Sequence, residues 1–469
     1  MDTKSLLALS PGELSACVNT LPDSEAIAAA VEEIRNLRAR IKTLRDEKGT
    51  CARSFKQAAG DTRATDAAKR QMQTISAALK TQEAQCKAAE KALTARLQSH
   101  TADKPQTPQL PRQFLPQAAP PAPAPEAVSV SAIDDARQSD WDDYVSGHPQ
   151  ASIYHHYGWR QVIDSSFNHR GFYLAATDST GRIVGILPLI WLQSRLFGSF
   201  SVSIPFFNYG GPLADCADTA ALLLAKAGEI AAAQGWSHIE IRTTTPGYDL
   251  PYQDKKVSMI RALPASDDEL DHALGAKVRA QTKLATRHNP EIRFGGVELL
   301  EDFYDVFARN MRDLGTPVYA KSLFQNILDR FSTETTVVCV YIDKQCVAAA
   351  FLIGRGELLE IPWASTLRRV NKLNINMWMY RQILRLAIDK GFAFFDFGRS
   401  TRDAGTYKFK KQWGTTPVQH YWYYWLPAGS ALPEINPDNP KYRLVIAIWK
   451  KLPLWITKLV GPAIVKNLP

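Results

Sequence analysis

Apolar residues near the start of the chain recur every three or four positions: Ile27, Ala30, Ile34, Leu37, Ile41 and Leu44, with Arg, Lys and Glu between them. Met72, Ile75, Leu79, Gln82, Cys86, Ala89 and Leu93 repeat the spacing. That period lays one apolar stripe along a helix, and two such stripes around a break predict an antiparallel coiled-coil hairpin. The break, AAGDTRATD over 58–66, offers a glycine and then residues able to cap a new helix. One long helix in an intermolecular coiled coil is the competing arrangement, but Gly60 in its interior would cost about 1 kcal/mol.

Periodicity then stops. Prolines stand at 105, 108, 111, 116, 120, 121, 123 and 125 among Ala and Gln. Such a stretch favours extended polyproline geometry and reads as a spacer.

From about Val128 onward the pattern alternates between helix and strand, and the same unit occurs twice. GFYLAATDSTGRIVGILPLIWL (171–192) reads as strand, turn at Ser179–Gly181, strand, and TVVCVYIDKQCVAAAFLIG (336–354) does the same. Each hairpin is followed by a helix that ends in glycine and then a strand: AGEIAAAQGWSHIEIR (227–242) and LRLAIDKGFAFFDFGR (384–399). Gly235 aligns with Gly391, and Glu240 with Asp396. Glycine there suits a left-handed residue just past a helix end. A tandem duplication of one α/β unit is the expectation.

Bulk properties narrow the function. The chain has 469 residues, 45% of them hydrophobic and 10% aromatic, enough for more than one packed core. Its net charge of +9 fits an acidic partner such as nucleic acid, a phosphorylated substrate or an anionic membrane. The six cysteines show no CxxC spacing and no nearby histidine pairs, which argues against a zinc site and a disulfide framework. The first 25 residues lack a secretory pattern, and no stretch reaches the roughly 18 apolar residues of a spanning helix. A cytoplasmic location, peripheral at the inner membrane, is the expectation.

Three phrases carry a resemblance: YHHYGWRQV (154–162), LPLI with SIPFFNYGG (187–190 and 203–211), and FDFGRSTRDAGTYKFKKQWG (395–414). The body from 128 to 469 resembles the FemAB family, more narrowly the FemAB-related proteins that accompany exosortase (PEP-CTERM) systems and exopolysaccharide loci. The resemblance implies an α/β (α+β) fold of two tandem GNAT-like (acetyltransferase-like) lobes. It also implies an acyl- or aminoacyl-transferase that forms an amide on a cell-envelope, peptidoglycan-like or exopolysaccharide intermediate. The family uses no metal, and its donor is typically aminoacyl-tRNA. An acyl-CoA-dependent N-acyltransferase and a non-catalytic glycan- or partner-binding adaptor are the alternatives.

Lys410, in the matched F-K phrase after Phe409, is the first candidate catalytic residue, since an ammonium there can stabilise an oxyanion or hold a donor phosphate. Asp396 is the candidate proton acceptor, with pairing to Arg399 or Arg402 as the structural alternative. Phe409, Arg399, Ser400, Tyr154, Trp159, Asn208, Gly210 and Gly211 are candidate substrate-binding residues. No Ser-His-Asp or Cys-His pairing stands out, so direct attack is favoured over a covalent intermediate. Acetyltransferases hold coenzyme A on a glycine-rich loop before the main helix; LRRVNKLNINMWMYRQIL (367–384) has no glycine, which disfavours that donor. Family members bind substrate phosphate through a first-lobe lysine, whereas the helix after Trp159 offers only Arg160. Arg279, Lys283 and Arg287, four apart on one predicted helix with Lys277 nearby, are candidates for phosphate or tRNA.

The tail YRLVIAIWKKLPLWITKLVGPAIVKNLP (442–469) mixes tryptophans, aliphatics and lysines, and Pro453 prevents one straight helix. It suits an interfacial segment on an anionic inner leaflet or a segment docked on the body. The expected division is a helical hairpin over 1–100, a linker over 101–127, lobes over 128–296 and 297–428, and an amphipathic tail over 429–469. A partner for the coiled coil, an envelope or polysaccharide precursor and tRNA are the expected partners.

Overall fold

The computed structural model describes residues 6–7, 9–18, 23–57, 62–101, 110–115, 127–194, 197–433 and 440–468. The chain forms two compact units, 1–108 and 109–469.

In the first unit, helices Ser24–Gln57 and Thr62–Thr101 pack along their apolar stripes. Ile27, Val31, Ile34 and Ile41 are buried together with Cys86 and Leu93, and Leu14 of the short helix Pro11–Val18 joins them. Arg38 pairs with Glu90 and Arg45 with Glu83, so partner positions run in opposite directions, as antiparallel helices require. These pairs are partly exposed and each contributes at most about 1 kcal/mol; the apolar seam holds the hairpin. Residues 58–61, where the sequence predicts the break, and most of the proline-rich stretch lie outside the described residues.

The second unit carries two sheets. The first is built from β1 (Ser129–Ile133), β2 (Gly171–Thr177), β3 (Ile183–Ser194), β4 (Gly198–Val202), β5 (Leu213–Ala214), β6 (Ile239–Thr243) and β7 (Tyr252–Gln253). The second holds β8 (Lys256–Ala262), β9 (Glu291–Gly295), β10 (Thr335–Ile342), β11 (Gln345–Arg355), β12 (Leu358–Thr366), β13 (Phe394–Thr401) and β14 (Thr416–Gln419). The last strand, β15 (Tyr421–Trp425), returns to the first sheet.

The duplication is visible in the pairing. Hairpins β2–β3 and β10–β11 are antiparallel, and the tight turn of the latter uses Asp343 and Lys344 at positive φ, the backbone a two-residue hairpin demands. A parallel pair follows in each lobe: Val202 of β4 faces Glu240 of β6, and Glu360 of β12 faces Asp396 of β13. Crossover helices Ala217–Gln234 and Ile375–Asp389 join the paired strands. Gly235 and Gly391 take the expected left-handed conformation beyond these helices, at φ 65° and 80°.

The lobes then exchange strands. β8, which follows β6 in the chain, pairs antiparallel with β13 of the second sheet; β15, which follows β13, pairs antiparallel with β6 of the first. Sheet membership therefore departs from the expected division at 296/297: β8 and β9 precede it but belong to the second sheet, and β15 follows it but belongs to the first. A shared aromatic core reinforces the exchange. Trp159 and Phe207 from the first half pack against Phe331 and Trp363 from the second, at ring-centroid distances of 4.7 Å and 5.7 Å.

The tail forms helices Pro440–Trp449 and Leu454–Val465, with Pro453 as the extended residue that caps the second. Among the described residues no helix is long and apolar enough to cross a membrane.

Because each sheet is completed by a strand from the other half, the two lobes should unfold as one. Calorimetry of the unit 109–469 should show a single transition with equal calorimetric and van't Hoff enthalpies. Two separable lobe transitions would contradict the exchange.

Candidate active site

The parallel pairing of β12 and β13 sets Glu360 and Asp396 side by side, both buried, on the seam between the lobes. The first lobe supplies their partners. The Tyr154 hydroxyl donates to Glu360 Oε2 at 2.7 Å, Asn208 Nδ2 reaches Oε1 at 3.4 Å, and the Tyr209 hydroxyl donates to Asp396 Oδ2 at 2.6 Å. A bulge in β13 puts Gly398 at φ 77°, and its N–H donates to Asp396 Oδ1 at 2.7 Å.

Lys410, on helix Gly405–Lys411, closes the cluster. Its Nζ donates to the carbonyls of Gly398 and Arg399, each at 2.9 Å. Burial and the Asp396 charge push the Glu360 carboxyl up to about 8, burial also raises that of Asp396, and burial draws the Lys410 ammonium down to about 8 against the pull of both carboxylates. Two adjacent buried carboxyl groups disfavour each other's ionisation, so Glu360 keeps its proton into the neutral range.

Behind Asp396 runs a second tier. Tyr209 also hydrogen-bonds the Ser258 hydroxyl, and His420 Nε2 lies 3.0 Å from the same Ser258 Oγ. Ser258 stands on the exchanged strand β8, and His420 just before the exchanged strand β15. Burial, with Arg399 and Arg242 nearby, lowers His420 to about 3, so it stays neutral.

The cluster opens into a cavity of about 340 Å³ whose lining includes Phe206, Asn208, Tyr319, Glu360, Arg399 and Lys410. Phe206 sits at φ 76°, a strained conformation costing of order 1–3 kcal/mol that turns the first-lobe loop into the cavity wall. A larger groove of about 810 Å³ lies on the first lobe, but the carboxylates that line it, Asp218 and Asp249, are exposed. The chemistry converges on the smaller space.

The expected site residues separate accordingly. Lys410, Arg399 and Asn208 line the cavity, and Tyr154 holds Glu360. Arg399 stacks over Trp422 at 5.0 Å and makes no salt bridge among the described residues. Asp396 pairs with neither Arg399 nor Arg402; Arg402 instead donates to Gln419. Glu360, not Asp396, faces the cavity. Ser400 is buried with no hydrogen-bond partner for its hydroxyl among the described residues, and Phe409 packs edge-on against Tyr380. Trp159 is core, its Nε1 donating to the Ile153 carbonyl at 2.9 Å. Gly210 and Gly211 are packing positions, where an added Cβ would meet Ile204 and Thr243.

The predicted basic face is corrected in its length. The α-helix Ala276–Ala285 gives way to a 3-10 turn, Thr286–His288, that carries Arg287, before Asn289 turns left-handed at φ 44° ahead of Pro290. Lys277, Arg279, Lys283 and Arg287 are exposed and outside the cavity lining, and Arg279 folds back on the carbonyls of Leu274 and Asp271.

Glu360, Ser258 and His420 were absent from the sequence expectation. Glu360 did leave a signal: an acidic residue inside the apolar run ELLEIPW, the same anomaly that marks Asp396 in FFDFG.

Residues 276–411 match the family model for the acetyltransferase (GNAT) domain. The matched GNAT segment holds Glu360, Asp396 and Lys410, while Ser258 and the first-lobe partners lie outside it. Among solved structures, FemX shares 15% identity, with 68% of this chain and all of that one covered at a TM-score of 0.48. L-PGS from Bacillus licheniformis shares 12%, covering 71% and 98%, at 0.41. A tandem GNAT protein from the clavulanic acid biosynthesis pathway shares 11%, covering 65% and 100%, also at 0.41. No curated protein matches the chain.

Glu360 sets a pH dependence of stability. Its folded-state value of about 8 stands above the ordinary 4.5, so the folded chain keeps a proton that the unfolded chain has released across that window. Stability therefore falls as pH rises toward 8. Glu360→Gln should raise the melting temperature relative to wild type at about pH 9 and change it least at about pH 5; an equal effect at both would contradict this assignment.

Proposed function

We propose that this protein is an acyl- or aminoacyl-transferase that forms an amide on an amine-bearing cell-envelope or exopolysaccharide intermediate by direct attack. The observation that carries the reading is the cavity wall shared by Glu360 and Lys410, with Asp396 directly behind.

An acceptor amine arrives protonated and must release a proton before it can attack. The ionised fraction of Glu360, which grows as pH rises toward 8, accepts that proton. The amine nitrogen then bonds to the donor carbonyl carbon, and negative charge develops on the carbonyl oxygen. Lys410 and Arg399, both in the cavity lining, stabilise that charge. Collapse breaks the bond to the donor's leaving oxygen, which takes back the proton held by Glu360. The amide nitrogen's remaining extra proton passes to the Glu360 carboxylate and on to solvent, so atoms and charge balance without a covalent enzyme intermediate. Tyr154, Asn208 and Tyr209 keep the two carboxyl groups in place from the opposite lobe.

An activated ester such as aminoacyl-tRNA suits the donor side better than acyl-CoA. The turn Arg368–Leu373 before helix Ile375–Asp389 carries no glycine, and both its arginines are engaged: Arg368 with Asp313 and Arg369 with Gln345. Turnover with acetyl-CoA would promote the acyl-CoA alternative, and absence of any transfer the adaptor.

Transfer of a labelled aminoacyl group from a charged tRNA pool to envelope amine acceptors, read by mass, is the direct test. Glu360→Gln should lower kcat by about 10²–10⁴-fold and remove the rising limb of the pH profile near 8. Lys410→Ala should lower kcat by about 10²–10³-fold. Full turnover in either variant would overturn the assignment. If RNA is the donor, affinity for tRNA should fall with salt, and replacing Lys283 and Arg287 with Gln should reduce the slope of log affinity against log salt by roughly 1.5–2. An unchanged slope removes those residues from the interface.

A further inference from the structure

From Pro440 to the end the chain carries Lys441, Arg443, Lys450, Lys451, Lys458 and Lys466 and no acidic residue at all. Helix Leu454–Val465 buries one stripe, Thr457, Gly461 and Val465, at a spacing of four. The body side of this helix is well anchored. Gly461 lies against Val318 so closely that a Cβ would meet its backbone nitrogen at 2.9 Å. Lys458 Nζ reaches Asp305 at 3.2 Å and lies over the Tyr304 ring, and His169 Nε2 donates to the Lys466 carbonyl at 2.6 Å.

The other stripe should then be polar, and it is not. Trp455 and Leu459, offset from the buried stripe by two residues, are 67% and 71% exposed. Val460 beside them is 40% exposed, and Val445 and Ile448 of the preceding helix are 60% and 53% exposed. A helix apolar on both faces, with only one face covered, has an unmet demand for an apolar partner. The exposed lysines Lys450 and Lys451 stand between the two helices. A large exposed tryptophan beside aliphatics and unopposed lysines is the composition of a segment lying in a membrane interface.

We propose that the helix pair Pro440–Trp449 and Leu454–Val465 is a docking surface for an anionic phospholipid bilayer. Trp455, Leu459, Val445 and Ile448 enter the acyl boundary, and Lys450 and Lys451 meet the headgroups. The charge decides the occupant: a second copy of the chain would bring the same cationic segment against itself, whereas an anionic leaflet neutralises it. Neither helix is long enough to span, so attachment is peripheral and reversible. Helix Leu454–Val465 packs on helix Leu300–Leu314, whose Met311 lines the cavity, so docking holds the cavity close to the lipid surface.

Sedimentation of the full chain with vesicles tests this. Wild type should bind phosphatidylglycerol-containing vesicles at least about tenfold better than pure phosphatidylcholine vesicles, with binding weakened by salt. The variants W455S/L459S and K450E/K451E change only exposed side chains, should melt as wild type does, and should each lose about tenfold or more in binding. Quenching of wild-type tryptophan fluorescence by brominated phosphatidylglycerol gives a readout that needs no variant, and quenching is expected. Failure to bind anionic vesicles, equal binding to neutral ones, or absence of quenching would overturn the proposal. Self-association that W455S/L459S abolishes, without vesicle binding, would assign the surface to a second copy instead.

Discussion

A sheet edge with unpaired N–H and C=O groups must be covered, paired or exposed to water. In this molecule β6 and β13 each leave such an edge, and each is paired by the strand that sequence order assigns to the other lobe. The constraint reaches the site directly. β8 delivers Ser258 to the hydroxyl of Tyr209, and the turn into β15 delivers His420 to Ser258. Glu240 of β6 shows the same logic on the first sheet: it takes Arg242 at 2.7 Å and the Tyr424 hydroxyl of β15 at 2.9 Å, while Arg242 holds the Phe207 carbonyl at the cavity loop.

The carboxyl pair depends on this arrangement because it cannot satisfy itself. Buried carboxyl groups need donors, and those of Glu360 and Asp396 come almost entirely from the opposite lobe. A shift between lobes of even about 1 Å would strip those bonds and change the acidity on which proton transfer depends. The stacked aromatic core between Trp159, Phe207, Phe331 and Trp363 resists that shift.

Much of this was legible in the residue pattern. The three- and four-residue spacing of Ile27 to Leu44 is a local property, and so are the paired strands around Gly181 and around Asp343–Lys344. The alignment of Glu240 with Asp396 identified equivalent strand positions, and both proved to lie on the second strand of a parallel pair. Long-range pairing was not legible. Nothing in KVSMIRA states that it leaves one sheet for another, so Ser258 and His420 had no reason to be placed together. Glu360 gives little away in sequence because a strand residue reveals its chemistry only through its neighbours across the sheet. Trp159 and the glycines at 210 and 211 were assigned to the cleft because a shared phrase marks a position, not whether it faces a ligand or a core.

The exchange also has a consequence during synthesis. The ribosome completes β6 well before it makes β15, roughly 10–40 s earlier at ordinary elongation rates. Throughout that interval the first sheet emerges with one edge open and its inner face only half covered. Nascent chains in that state invite edge-to-edge pairing with one another until β15 arrives.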